Sequence, residues 1–341
     1  MLLISSRTEA VAIEIERQLL IRHNVELNGH PFAIYEKRAD ASAKIIVLIH
    51  GKTISALPNF DLQHDSKNIS LMDAFVAKGF TTYAIDLRGF GNTPRDDTGW
   101  ITPNKAASDV IQLLEWIATR HPNRKPALFG YSQGAKVSHL VAQRKPSLVA
   151  NLILFGHPVA IPAIAASLNG KSSNKTSKPP RKPNTVEWSS DGFIAESVSP
   201  KVIDLYVSAC LKMDPVLVDW NRVGQWSQLQ PQAIKVPTLL ISGEHDPYAP
   251  AEKHATFFKN IGCPDKAWVI IANSGHNAHV ENTAPRLVNG AQLLETQPLG
   301  AGVPTQTGSA TENSLTFCRL TRRLAAALSM NCSVSASKRS F

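Results

Sequence analysis

The most constraining stretch of this chain runs from Ala127 to Arg144. An apolar run, Ala127-Leu128-Phe129, ends in Gly130-Tyr131-Ser132-Gln133-Gly134, and a helical pattern over 135–144 follows without a spacer. A serine held on a tight, strained turn between a strand and a helix needs small neighbours, because backbone passes where a Cβ would stand. That is the pattern a nucleophile elbow requires. Gly-x-Ser-x-Gly by itself also makes ordinary turns, so its meaning depends on what the rest of the chain places around it.

The rest reads as strands alternating with helices. Residues 11–38 read as a β-hairpin, with alternating segments 11–20 and 32–37 on either side of Asn28-Gly29, a pair that tolerates the positive φ angles of a tight turn. Residues 45–49 form a continuous apolar run rich in β-branched side chains, as in a strand buried on both faces. A helix is predicted over 70–78 with Gly79 as its C-cap, a strand over 81–87, and a helix over 103–119 opened by Pro103. A strand over 152–155 follows the elbow helix.

The rhythm then breaks. Residues 158–232 hold seven prolines between Pro162 and Pro231, a basic low-complexity piece, and short helical patterns near 196–211 and 214–222. It resumes with a strand over 238–241, a helix over 251–261, a strand over 267–271 and a helix over 278–295. Such alternation implies a mostly parallel twisted sheet with helices on both faces. Residues 1–157 and 233–296 form the core in this reading. Residues 158–232 are a small helical cap inserted after the sixth strand, with 170–184 as an exposed, mobile basic loop. From 297 to 341 a Gly/Thr/Ser/Pro-rich piece and a basic amphipathic pattern over 315–330 are expected to form a loosely attached or disordered tail.

Composition narrows the function. A chain of 341 residues, 43% hydrophobic and 18% charged, has material for a sizeable core. Its net charge of +9 is local: it comes from Lys171, Lys175, Lys178, Arg181 and Lys182 and from the basic tail, so a nucleic-acid partner is not expected. Cys210, Cys263, Cys318 and Cys332 form no CxxC pair and carry no zinc or redox signature; free thiols in a reducing compartment are the expectation. Charges from Arg7 onward interrupt the N-terminal apolar run, and no run approaches the roughly 18 residues of a membrane span. A soluble, cytoplasmic protein is expected, acting on a small molecule without stable membrane insertion; its oligomeric state is open.

In parallel sheets functional groups gather at the carboxyl ends of strands. Those ends carry His50-Gly51-Lys52, Asp86, Ser132, Gly156-His157, Gly243-Glu244-His245-Asp246 and Gly275-His276. A serine, an acid and a histidine thus occur in that order. With His50-Gly51, Gly130-Tyr131-Ser132-Gln133-Gly134, Gly243-Glu244-His245-Asp246 and Gly275-His276 taken together, residues 20–296 resemble the α/β-hydrolase superfamily.

That resemblance implies an α/β-hydrolase fold and a Ser132–His276–Asp246 triad. Backbone N–H groups of Gln133 and Lys52 would meet an oxyanion, and no metal or cofactor is implied. It also implies acyl transfer to water, with a carboxylic ester as the favoured substrate. Thioesters, lactones, amides, certain carbon–carbon bonds and a peroxidase or perhydrolase activity are alternatives on the same triad; a non-catalytic binding protein is a further one. Trp188, Phe193, Trp220 and Trp226 are candidates for an acyl pocket under the cap. Glu244 is the rival acid, and His50 is expected to support the oxyanion loop. Asp86 and Arg88 are expected to organise a turn, Lys136 to be a solvated helix charge, and His279 to start the last helix.

Overall fold

The structure, a computed structural model, describes residues 18–41, 43–64, 67–159 and 177–291. The tail expected over 297–341 and residues 160–176 of the expected cap, which include 170–176 of the basic loop, lie outside the described residues. Eight strands form one sheet: β1 Ile21–Leu27, β2 His30–Lys37, β3 Lys44–Ile49, β4 Phe80–Ile85, β5 Ala127–Tyr131, β6 Asn151–Phe155, β7 Thr238–Gly243 and β8 Lys266–Ile271. Their order is β1-β2-β4-β3-β5-β6-β7-β8. Pairing is antiparallel at β1–β2 and β2–β4 and parallel across the other five junctions.

The hairpin corrects one expectation. Asn28 and Gly29 do form its turn, both at positive φ, but the strand paired with β2 is Ile21–Leu27, residues 18–20 before it form no strand, and residues 11–17 of the expected segment lie outside the described residues. A two-residue turn pairs the residues immediately flanking it, here Leu27 with His30, so the strand begins at the turn. Along β3 the side chains alternate between two buried layers. Ile45, Val47 and Ile49 pack with helices α3 (Pro103–Arg120) and α4 (Gln133–Arg144), while Ile46 and Leu48 pack with α2 (Leu71–Val76) and α8 (Ala284–Ala291). Burial on both faces is why this strand is an unbroken apolar run. Ser70 caps α2 by accepting from the Asp73 N–H, and Thr102 caps α3 by accepting from the Lys105 N–H.

Between β6 and β7 the chain leaves the sheet and forms α5 (Val186–Ser190) and α6 (Pro200–Met213). No helix forms over 214–222, contrary to the sequence expectation. Asp214 precedes Pro215, a position that disfavours helical backbone, and its carboxylate accepts the N–H groups of Ser55 (2.8 Å) and Gly91 (2.8 Å). The chain then runs extended, bridging Pro183 to Val216 and Ile101 to Trp220, before a 3-10 turn at Val223–Gln228. After β7 comes α7 (Ala251–Asn260). The last helix starts at Ala284 and not at 278, because Pro285 fits only a first helical turn. A short α1 (Ala56–Phe60) follows β3. No helix among the described residues is long and apolar enough to cross a membrane.

Candidate active site

Ser132 sits between the end of β5 and the start of α4 at φ 54°, ψ −121°, a backbone state in which a residue bearing a Cβ is strained. The glycines on either side make room for it. A Cβ on Gly130 would stand 2.5 Å from the Ala135 Cα and 2.6 Å from the Ser138 Oγ, and one on Gly134 would run into the carbonyls of Ile49 and His50. Hydrogen bonds fix the turn: the Ser132 N–H donates to Phe155 O (2.9 Å), and the Ala135 N–H to Ser132 O (2.9 Å).

The loop after β3 lies against this turn, since a Cβ on Gly51 would be 3.2 Å from the Ser132 Cβ. His50 is fully buried beneath that loop. Its Nε2 accepts the Leu87 N–H (3.0 Å), which leaves Nδ1 to donate to Gly51 O (2.9 Å). Burial lowers it to about 4. With both ring nitrogens engaged, His50 is a strut and not a base. Among the described residues the backbone N–H groups of Lys52 and Gln133 have no acceptor.

His276 and Asp246 meet from different strand ends. His276 Nδ1 is 2.8 Å from Asp246 Oδ2, and both side chains are almost wholly buried. The other Asp246 oxygen accepts the Tyr248 N–H (2.8 Å). Because Asp246 accepts at Nδ1, the ring carries its proton there. Glu244 does not compete: it is half exposed and accepts the Asn273 N–H (2.9 Å). The ring is enclosed by Tyr131 at 5.1 Å and Tyr248 at 4.9 Å. From below it is met by Gly156, where a Cβ would fall 2.9 Å from the histidine Cε1. Phe155, just before Gly156, is the residue whose carbonyl holds Ser132. Serine and histidine are therefore brought to the same corner of the sheet.

The segment between β6 and β7 also reaches the histidine. The His276 N–H donates to Gly192 O (2.9 Å). Tyr131 Oη donates to Asn277 Oδ1 (2.6 Å), and Asn277 Nδ2 donates to Asp191 O (2.9 Å). Tyr248 Oη also donates to an Asp191 carboxylate oxygen. The turn-prone pair Asp191-Gly192, with Gly192 at φ +89°, was the clue available.

Other side chains fall as expected or otherwise. Asp86 is buried and accepts from Tyr35 Oη (2.7 Å) and from the N–H groups of Ala56 and Asn92 (2.9 Å each). Desolvation raises it to about 6. Arg88 makes a two-pronged pair with Asp109 at 2.6 and 2.8 Å. Both organise turns. Lys136 is not a solvated charge: it is half-buried with Nζ 4.7 Å from the Trp226 ring centre. His279 starts no helix. It is buried in the turn before α8, 4.4 Å from the Tyr131 ring, and burial lowers it to about 3.

Of the four candidate pocket aromatics, Trp188 is 53% exposed, because α5 buries its Ser189 side instead. Phe193 packs edge-on to Tyr206 at 5.3 Å, and Trp220 and Trp226 stand 5.8 Å apart, half-buried against the core. A cleft lined by Glu36, Arg38, Arg120 and Arg124 opens beside Thr81, at the start of β4, and contains none of these groups.

The order of strands, the serine elbow between β5 and α4, and the acid–histidine pair after β7 and β8 define an α/β hydrolase. A family model described as "Serine aminopeptidase, S33" matches residues 41–283, and the chain belongs to that family. The probable aminopeptidase YbaC of Bacillus subtilis (strain 168) is 41% identical over 49 residues, which are 14% of this chain and only 15% of YbaC. The AB hydrolase superfamily protein YisY of the same organism is 24% identical over 250 residues, covering 68% of this chain and 87% of YisY. Among solved structures, the monoacylglycerol lipase of Paleococcus ferrophilus superposes with a TM-score of 0.58 at 17% identity, over 77% of this chain and 97% of the lipase. At that identity the likeness speaks for the fold.

Proposed function

We propose that the protein is a serine hydrolase that cleaves a carboxylic ester through an acyl-enzyme intermediate, with Ser132, His276 and Asp246 as its triad. The supporting observation is the 2.8 Å His276–Asp246 pair beside a serine held at positive φ. A proton on Nδ1 leaves Nε2 as the basic nitrogen, which takes the Ser132 Oγ proton as the oxygen attacks the acyl carbon. His276 returns that proton to the leaving oxygen, and Asp246 holds the tautomer and stabilises the imidazolium. The backbone N–H groups of Gln133 and Lys52 receive the oxyanion; they need no particular side chain for this. Water then repeats the sequence on the acyl-enzyme. No step draws on a metal or cofactor.

In this reading residues 158–232 act as a cap, and Phe193, Trp220 and Trp226 wall the acyl pocket. An ester is favoured over a peptide by the charges beside the nucleophile. An aminopeptidase must receive a substrate ammonium, whereas the loop after β3 and the first turn of α4 bring two lysines, Lys52 and Lys136, to the elbow. The test is labelling of Ser132 with a fluorophosphonate, together with turnover of p-nitrophenyl esters from acetate to palmitate. Ser132→Ala and His276→Ala are each expected to lower kcat by about 10⁴-fold or more with little change in Tm. Retention of more than a tenth of wild-type activity in Ser132→Ala would sink the triad, and an unlabelled Ser132 would point to a binding protein built on a hydrolase fold.

A further inference from the structure

A half-buried lysine ordinarily has an acid beside it, because taking an unpaired ammonium out of water is costly. Lys136, half-buried, and Lys52, exposed on the loop after β3, lie near the Ser132 turn without such a partner among the described residues. Lys136 is four residues past the serine, in the first turn of α4, and the Trp226 ring holds its Nζ in place. Lys52 follows Gly51, whose backbone touches the serine turn. Among the described residues neither ammonium has a carboxylate partner. The ionisable groups facing Lys136 from neighbouring elements are Lys52, on the loop after β3, and His157, after β6; His139 lies on α4 itself. None of these is acidic.

The Lys52 charge acts on Lys136. Loss of solvation pulls Lys136 down to about 8, with the Lys52 charge as the second cause. Lys52 is also lowered by lost solvation, but it is open to solvent, so its position carries more weight than its shift. Like charges held together without a counter-ion are unfavourable in the empty site and relieved when an anion enters.

We propose that the substrate is an ester bearing a free carboxylate a few bonds from its scissile carbonyl, and that Lys136 and Lys52 receive that carboxylate beside Ser132. The proposal rests on the ester-hydrolase reading. The fixed ammonium on the Trp226 ring sets the orientation, and Lys52, on the loop after β3, supplies a second donor. Neutral esters then lack the contact that compensates the repulsion between the lysines.

The experiment compares kcat/KM for p-nitrophenyl hemiglutarate with that for p-nitrophenyl valerate, a neutral ester of equal chain length. The wild-type ratio is expected to favour the anion by about tenfold, the scale of one charge-assisted hydrogen bond. Lys136→Gln should abolish that preference, Lys136→Arg should keep most of it, and the wild-type ratio should fall above pH about 8 as Lys136 loses its proton. A wild-type preference for the neutral ester, or a ratio that Lys136→Gln does not move, overturns the proposal. Should Lys136→Gln fail to fold, the pH dependence of the wild-type ratio decides: a flat ratio overturns it. If neither ester is turned over, the ester reading has failed, and calorimetry with glutarate judges the lysines separately. Glutarate bound by the wild type and at least tenfold more weakly by Lys136→Gln would keep the anion site; no difference would remove it.

Discussion

Ser132 and His276 share one corner of the sheet but are held there in different ways. Around the serine the fixing contacts come from its own turn and the adjoining strand ends: Gly130, Gly134, the carbonyl of Phe155 and the loop at Gly51. Around the histidine they come from remote parts of the chain: Asp246 from the loop after β7, Gly192 from the segment between β6 and β7, and Tyr131 from β5. The serine side leaves almost no space for change. The histidine side is an assembly of side chains that meet only once the sheet and the long insertion are in place. A turn of the first kind is recognisable from consecutive residues even though distant strand ends lock it, and an assembly of the second kind is not.

The sharpest challenge to this contrast lies in the acid. Asp246→Asn is expected to lower kcat by about 10³- to 10⁴-fold, since an amide favours the wrong tautomer of His276. Glu244→Gln, which changes only contacts away from His276, to the Asn273 N–H and His245, should stay within a few-fold. Steady-state kinetics on the pair settles the matter, and a worse Glu244 variant would mean that the histidine is oriented by a different group from the one it touches.

Next in size is a comparison of glycines. Gly134→Ala places a methyl against the carbonyls of Ile49 and His50, so it should cost about 3 kcal/mol or more in urea unfolding. Gly192→Ala instead meets the His276 Cβ at 2.8 Å from a backbone at φ +89°. It should reduce kcat by about tenfold, the effect of a misplaced general base, with a smaller loss of stability. If Gly192→Ala proves the more destabilising and the less inactivating, the two sides have been assigned the wrong mechanics.

The smallest expected effect is on pH dependence. Each side rests on a buried neutral histidine: His50 under the loop after β3, lowered to about 4, and His279 behind Tyr131, lowered to about 3. Both start from an ordinary value of 6.5. The unfolded chain therefore binds protons below that pH that the folded chain refuses, so each stabilising contribution is complete above 6.5 and shrinks as the pH falls. Asp86, raised to about 6, works in the opposite direction over part of the window. Between pH 7.5 and 5.5 each histidine should remove about 1 kcal/mol of stability. His50→Asn and His279→Asn, compared with wild type by denaturant unfolding at both pH values, should each shrink the acid-induced loss by that amount. An unchanged loss in both variants would mean that these histidines already bind protons in the folded protein.

Much of the fold was open to a reader of the amino-acid sequence, because its signals are local. The unbroken apolar run of β3 announced a strand buried on both faces. The Asn28-Gly29 pair announced the hairpin turn, and Pro103 the start of α3. The Gly-x-Ser-x-Gly turn announced the elbow, since a Cβ at Gly130 would meet Ala135 and Ser138 a few places along the chain; that Gly134 must also clear the carbonyls of Ile49 and His50 was decided by the fold. The sequence order of Ser132, Asp246 and His276 could be stated, but that Asp246 and not Glu244 reaches the histidine was decided by the turn after β7, which sets the direction of each side chain. Lys136 read as a surface charge because nothing in α4 reveals that Trp226, from the far end of an irregular insertion, covers it. His279 likewise read as a helix residue until Pro285 was seen to start the helix and the aromatic rings of Tyr131 and Phe155 to enclose it. What the sequence by itself determined was where the backbone must bend or be buried, because sterics and apolar periodicity are properties of neighbours. Which side chains meet across the site was decided by the tertiary structure alone, because those contacts join segments whose separation along the chain carries no pattern.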